Sequence, residues 1–273
     1  MSHNLVRIRE LTGWGFDSYE YRPEVLDRTK LSQAEGTIAQ RSPYEQSNVV
    51  LATETEKLRE AFKSYADRPD LLSEMNGLSW SLGVVDLQSL IAFQRRLAFP
   101  PEIAQFSVPN AADWPALLTL CFGSPKPIEY DIVHDRSTQT VVLQSGNPNL
   151  HFRVTNDSAS PLSIHAGGPF FEVACFQNRW FLRDGYHRAY ALLRARVFEV
   201  PAVIVQAATI EELGANQPWF FPEEVLFSKA PPRVVDFLNE DLILEYDRPA
   251  LIKTLRIKME ETLKPATYKG EQL

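Results

Sequence analysis

Asp184-Gly185-Tyr186-His187-Arg188 is the stretch on which the reading of this chain turns. Before it, Trp180 to Leu182 is apolar and strand-like; after it, Ala189 to Ala195 has the character of a helix. A strand that turns through glycine into a helix presents unpaired backbone N–H groups and the positive end of the helix dipole, which together favour an anion. Gly185 lets a ligand approach the main chain, and Arg188 can fork onto phosphate or carboxylate oxygens or cross to a carboxylate and fix the helix. His187 can donate to a phosphate or act as an acid, its unperturbed pKa of ~6.5 lying near neutrality. Asp184 suits two roles equally: helix N-cap, or contact with a metal or substrate hydroxyl. Gly185, Tyr186, His187 and Arg188 are therefore the candidate phosphate-binding residues, with the Tyr186 ring read as packed at the turn.

Outward from this box the pattern stays regular. Phe170 to Phe176 and Trp180 to Arg183 predict a hairpin around Gln177-Asn178-Arg179, and a helix from His187 to about Arg196 sets Ala189, Leu192 and Leu193 on one face. Val200 to Val205 returns as an apolar strand, with Pro201 suited to an edge or a strand start. Gly167 and Gly168, in His165-Ala166-Gly167-Gly168, form either the opposite lip of a pocket or an ordinary loop. Glu172 alternates with apolar neighbours and faces either solvent or that pocket.

The unit Pro169 to Val205 resembles the ParB/sulfiredoxin-like superfamily. The elements that carry the likeness are Gly168-Pro169, the strand Phe171 to Cys175, the Asp184 to Arg188 box and the strand Val200-Pro201-Ala202-Val203-Ile204-Val205. They cover about 40 residues, with a weaker match over Gly83 to Gln94. The resemblance implies a small α+β domain whose box holds nucleotide phosphates, in a superfamily that includes CTP-binding partition proteins, ATP-using sulfiredoxins and free-serine kinases. Fold alone does not fix activity among them. Sulfiredoxins need a cysteine where this chain has Tyr186, which argues against sulfinic-acid repair. The serine kinases carry a His-Glu pair early in the domain, and the nearest segment here reads Ala92-Phe93-Gln94. Partition proteins continue into a DNA-reading helix-turn-helix, which Thr209 to Leu273 does not display. More chain separates Gln94 from Gly168 than compact members use, as an insertion or a divergent subfamily would have.

The rest of the chain sets limits. A length of 273 residues with 44% hydrophobic and 23% charged content fits a folded protein of one large or two modest domains. The formal charge of −7 argues against a surface built to neutralise a nucleic-acid backbone, so sequence-specific DNA binding is disfavoured. Cys121 and Cys175 each lie in an apolar run, as buried structural thiols do. The mixed-charge start, Met1 to Arg9, and the lack of any membrane-length apolar run predict a cytoplasmic protein with no membrane contact, in which the Asn156-Asp157-Ser158 sequon is chance. His134-Asp135 lacks the spaced histidines of a metal phosphohydrolase and reads as a solvated strand end. Residues 1–50 read as an irregular arm, and Thr53 to Glu56 as a capping box opening a helix that ends near Asp67. Leu78 to Leu97 reads as a strand leading into a short helix, and Pro222 to Leu263 as mostly helical. The expected organisation is α+β: an N-terminal arm and helices over 1–80, the ParB/sulfiredoxin-like domain with an insertion over 81–208, and a mostly helical extension over 209–273.

Two functions fit. In one, the protein is a nucleotide-dependent enzyme that hydrolyses a triphosphate or passes phosphate to a small acceptor. Arg188, His187 and the Gly185 amide would hold phosphates of ATP, ADP or CTP, with Asp184 or Asp86 near Mg²⁺. Asp184, His187 and Asp86 are then the catalytic candidates, though Asp86 equally suits an exposed turn. In the other, the same pocket binds a nucleotide without turnover, as a sensor or assembly component. The missing kinase carboxylate favours the second; a DNA-associated or defence role is third.

Overall fold

The computed structural model describes residues 5–24, 28–45, 47–100, 107–123, 127–154, 162–258 and 260–263; Pro101, Pro125 and the Asn156 sequon lie outside them. The fold is mixed α and β, divided into two compact units. The first comprises 1–125 with 168–250, and the second 126–167 with 251–273, so the units interleave along the chain.

In chain order, the first unit holds strand β1 (Leu5–Leu11), helices α1 (Arg28–Ala39), α2 (Ala52–Lys57), α3 (Arg59–Ala66) and α4 (Pro69–Glu74), strands β2 (Ser79–Asp86), β3 (Ile91–Ala92) and β4 (Arg96–Phe99), and helix α5 (Trp114–Cys121). The second unit follows with β5 (Asp131–Asp135), β6 (Thr140–Ser145), β7 (His151–Val154) and β8 (Leu162–His165). The chain then returns to the first unit through β9 (Glu172–Phe176), β10 (Arg179–Asp184), α6 (Tyr186–Arg194), β11 (Glu199–Gln206), α7 (Ile210–Leu213), α8 (Glu223–Leu226) and β12 (Ile243–Pro249). Strand β13 (Lys253–Lys258) belongs to the second unit, where sheets β13-β6-β5 and β7-β8 form.

A five-stranded sheet, ordered β2-β11-β9-β10-β3, organises the first unit. The hairpin β9–β10 forms as the sequence predicts, with Phe176 opposite Arg179. Its two-residue turn puts both Gln177 (φ 47°) and Asn178 (φ 62°) in the left-handed region, which matches the right-handed twist of the strands. Helix α6 buries Ala189, Leu192 and Leu193, and β11 returns parallel to β9. Pro201 sits opposite Val84, where the outward-facing amides of β2 ask nothing of it. These elements share one core with Phe62, Leu71, Phe93, Phe122, Phe171 and Phe237.

Four expectations need correction. The N-terminal segment contains a strand: β1 lies between β12 and β4 in a second sheet, pairing Leu5 with Pro249 and Leu11 with Ile243. The segment Pro222 to Leu263 is not mostly helical, because it holds α8, two 3-10 turns (Val234–Leu238 and Glu240–Leu242) and the strands β12 and β13. The run after β2 makes a 3-10 turn (Leu87–Ser89) and then β3 and β4, not a helix. Leu90, Ile91, Ala92 and Phe93 are all buried, and an apolar run without a polar face carries no period from which to choose strand or helix. The capping box expected over Thr53 to Glu56 is also absent: α2 starts at Ala52 after Leu51, with no side-chain cap.

Buried charge ties the second sheet together. The Glu10 carboxylate is fully buried and accepts hydrogen bonds from Arg22 (2.6 and 3.0 Å), Arg96 (2.7 Å) and the Tyr246 hydroxyl (2.7 Å). Asp17 also accepts from Arg22 and Arg96. Burial pushes the Asp17 carboxyl up, but the two guanidiniums outweigh it and hold the pKa down at about 2. Glu10→Ala leaves Arg22 and Arg96 with Asp17 as their one remaining carboxylate among the described residues and is expected to cost ~3 kcal/mol of stability by urea unfolding. Because Asp17 titrates lower folded than its ordinary ~3.9, its contribution is present above pH ~4 and lost as pH falls towards 2. Acid-unfolding profiles of wild type and Asp17→Asn should therefore converge in that window.

Candidate functional site

The Asp184–Arg188 box forms the strand-to-helix corner that its sequence specifies. Strand β10 ends at Asp184, Gly185 turns the chain at φ 97°, and α6 begins at Tyr186. The glycine is required twice over. Its φ is one that side-chain-bearing residues rarely adopt, and a Cβ there would lie 2.7 Å from the Phe171 ring. The N–H groups of Tyr186, His187 and Arg188, in the first turn of α6, have no side-chain cap.

Most side chains of the box point into the scaffold. Arg188 donates to three carbonyls: Leu120 at 3.1 Å, Pro169 at 2.5 Å and Phe170 at 2.6 Å. It thus fixes the C-terminal end of α5 and the approach to β9, taking the structural role open to it but with carbonyls in place of a carboxylate. His187 Nε2 lies 2.7 Å from the Ala98 carbonyl, an acceptor only, so this nitrogen carries the proton. Burial lowers the His187 pKa, which leaves the ring neutral near pH 7. The Tyr186 hydroxyl is buried and accepts the N–H groups of Phe93 (3.0 Å) and Gln94 (3.4 Å). Asp184 accepts the Gly185 N–H at 2.6 Å, capping its own corner.

Glu172 completes the corner, and its orientation is the point the sequence left open. It lies at the start of β9 directly opposite Asp184, is 3% exposed, and is paired with Arg183. Arg183 also donates to the Glu212 carbonyl at 3.2 Å, which draws in α7. Glu74, at the end of α4, adds a third negative charge that acts on both Glu172 and Asp184. Gly168 packs into this cluster, where a Cβ would meet Glu74 Cγ at 3.6 Å and Glu172 Oε1 at 3.8 Å. Burial pushes the Glu172 carboxyl up to about 7 despite Arg183, and burial also raises Asp184 against the pull of Arg188.

The other candidates lie elsewhere. Asp86 pairs in register with Glu199, whereas Asp184 aligns through Glu172 with Val203. Three strand spacings and four residues of rise put them roughly 20 Å apart. Asp86 instead accepts the Gln88 N–H at 3.0 Å and caps the 3-10 turn, so it is not part of this corner. Gly167 belongs to the second unit and lies against Asn149. His134 is exposed on β5, and Asp135 caps its turn through Ser137 and Thr138. Burial raises both thiols, that of Cys121 to about 12, so neither is a thiolate near neutrality.

Among the described residues no three His, Cys, Asp or Glu side chains group closely enough to hold a metal ion, and no helix is long and apolar enough to cross a membrane. No protein-family model matches the chain, and comparison with curated proteins and with solved structures gave no match.

Arg188→Ala removes three charge-assisted hydrogen bonds and is expected to lower stability by at least ~1.5–3 kcal/mol, measured by urea unfolding. An unchanged unfolding midpoint would mean that the Leu120, Pro169 and Phe170 carbonyls do not depend on this side chain.

Proposed function

We propose that the protein binds a phosphate-bearing small molecule, a nucleotide such as ATP, ADP or CTP, at the corner where β10 turns through Gly185 into α6. The observation that carries this reading is the left-handed Gly185, beside first-turn N–H groups of α6 that have no hydrogen-bond partner among the described residues. Such a corner binds an anion through backbone alone and leaves the side chains free for other work. Supporting the ParB/sulfiredoxin-like assignment of the surrounding domain is the order hairpin, box, helix and returning strand, realised as β9–β10, Asp184–Arg188, α6 and β11.

Of the two functional classes, binding without turnover is the better supported. Asp184, Tyr186, His187 and Arg188 are each bonded to the protein's own backbone, so none is presented as a nucleophile or base. A ligand at the α6 amides would pull on β4, α5 and the approach to β9 together, as a sensor requires. A Mg²⁺ held by the protein does not fit, since Asp184 is tied to Gly185 and Glu172 to Arg183. The enzymatic alternative rests on Glu172, whose pKa near 7 suits a general acid or base.

Calorimetric titration with ATP, ADP and CTP tests the reading. Asp184→Asn keeps the acceptor for the Gly185 N–H but removes a negative charge beside the ligand, so affinity should rise roughly three- to tenfold. No saturable heat with any nucleotide at millimolar concentration, or weaker binding by a folded Asp184→Asn protein, defeats the proposal. Phosphate-release assays should show no turnover; turnover abolished by Glu172→Gln would select the enzyme. Because the Glu172 pKa is raised on folding, its contribution to stability is full below pH ~4.5 and lost as pH rises through about 7. Glu172→Gln should flatten that slope in thermal unfolding.

A further inference from the structure

Strand β2 is an edge strand whose inner side pairs with β11 along its whole length. Its outer side is covered over one half only. The Asp86 N–H donates to the Val49 carbonyl at 2.9 Å, and the Leu51 N–H to the Val84 carbonyl at 2.9 Å. The Val84 N–H donates to Thr55 Oγ1, also at 2.9 Å. The chain then leaves the edge at Ala52 to form α2. Antiparallel residues alternate in the direction their peptide groups face, so the outward groups of Val84 and Asp86 fix those of Trp80 and Leu82 as outward too. Those groups have no hydrogen-bond partner among the described residues. They face a cleft of about 630 Å³ between the edge and helices α2 and α3, walled by Thr55, Arg59, Phe62, Lys63, Trp80 and Leu82.

We propose that this cleft takes an extended peptide segment of a partner protein, added as a strand to β2 at Trp80–Leu82. An unpaired strand edge is satisfied by another main chain in extended form, and Val49–Leu51 already occupies the same track antiparallel to β2. The helical wall limits the occupant to a single strand. A second copy entering by its own β2 would bring its α2 and α3 into the same space and set Arg59 and Lys63 against themselves. Charge selects further: Arg59 and Lys63 line the cleft with Glu56 as its one acid, and their pairs with Glu56 and Glu60 are exposed and easily exchanged. An incoming acidic side chain is favoured.

The probe is a fluorescein-labelled hexapeptide of alternating threonine and valine with one central glutamate, followed by anisotropy. Saturable binding is expected with Kd on the order of 10–300 μM, weakened several-fold when lysine replaces the glutamate. N-methylation of alternate peptide nitrogens should weaken it at least tenfold. Leu82→Pro removes one outward N–H at an edge position that tolerates proline, and should weaken binding by a similar factor. Should that variant fail to fold, the N-methylated peptide gives the same test on the unaltered protein. The proposal is overturned by no saturable binding at millimolar peptide, by equal binding of the N-methylated peptide, or by a dimer in light scattering that Leu82→Pro dissociates.

Discussion

The three carbonyl bonds of Arg188 hold the first unit's chemistry in place. Leu120 ends a helix, Pro169 and Phe170 lead into a strand, and Arg188 itself stands in the first turn of α6; one guanidinium joins all three. Carbonyls at a helix end and in a loop lack regular backbone partners, and a planar fork of donors satisfies several at once. With this tie in place, Phe171 closes over Gly185 and Glu172 is carried inward opposite Asp184. The corner therefore depends on a cation that never needs to reach a ligand.

How much of this could be read beforehand follows from how local each feature is. The hairpin, box, helix and returning strand were legible because their periods and turn residues sit within about 40 consecutive positions. The β12–β1–β4 sheet was not. The β1–β12 register joins residues more than 230 positions apart, and Arg9 and Glu10 interrupt the apolar alternation of β1. Those charges are buried only because Glu240, Glu245, Arg22, Arg96 and Tyr246 meet them, and nothing near β1 in the chain announces those partners. In the candidate site the same limit applies. Sequence marked Glu172 as alternating with apolar neighbours, but which face it takes is set by Arg183 and the strand opposite. Asp86 could be excluded only from register, since its distance from Asp184 is a count of strands.

The corner combines features that pull in opposite directions. The first turn of α6 attracts negative charge, and the protein supplies some of its own in Asp184, with Glu172 and Glu74 behind it. Arg183 and Arg188 offset part of this, yet both are committed to protein acceptors. The phosphate-bearing ligand proposed for this corner would approach against residual negative charge, and its affinity would depend on how much of that charge is neutralised by protons.

Proton uptake would supply the neutralisation. Burial favours the uncharged carboxyl, and a nearby phosphate would push the Glu172 and Asp184 pKa values further in the direction burial has already taken them. Binding of the proposed ligand and protonation would then be linked in both directions, since each would make the other easier. A site built from backbone amides beside protonatable acids differs in kind from one built on free arginines. The second keeps its affinity across neutral pH; the first gains affinity as pH falls through the range in which Glu172 takes up its proton. On this reading, Glu172 sets the conditions under which the corner is occupied, and Gly185 sets only its shape.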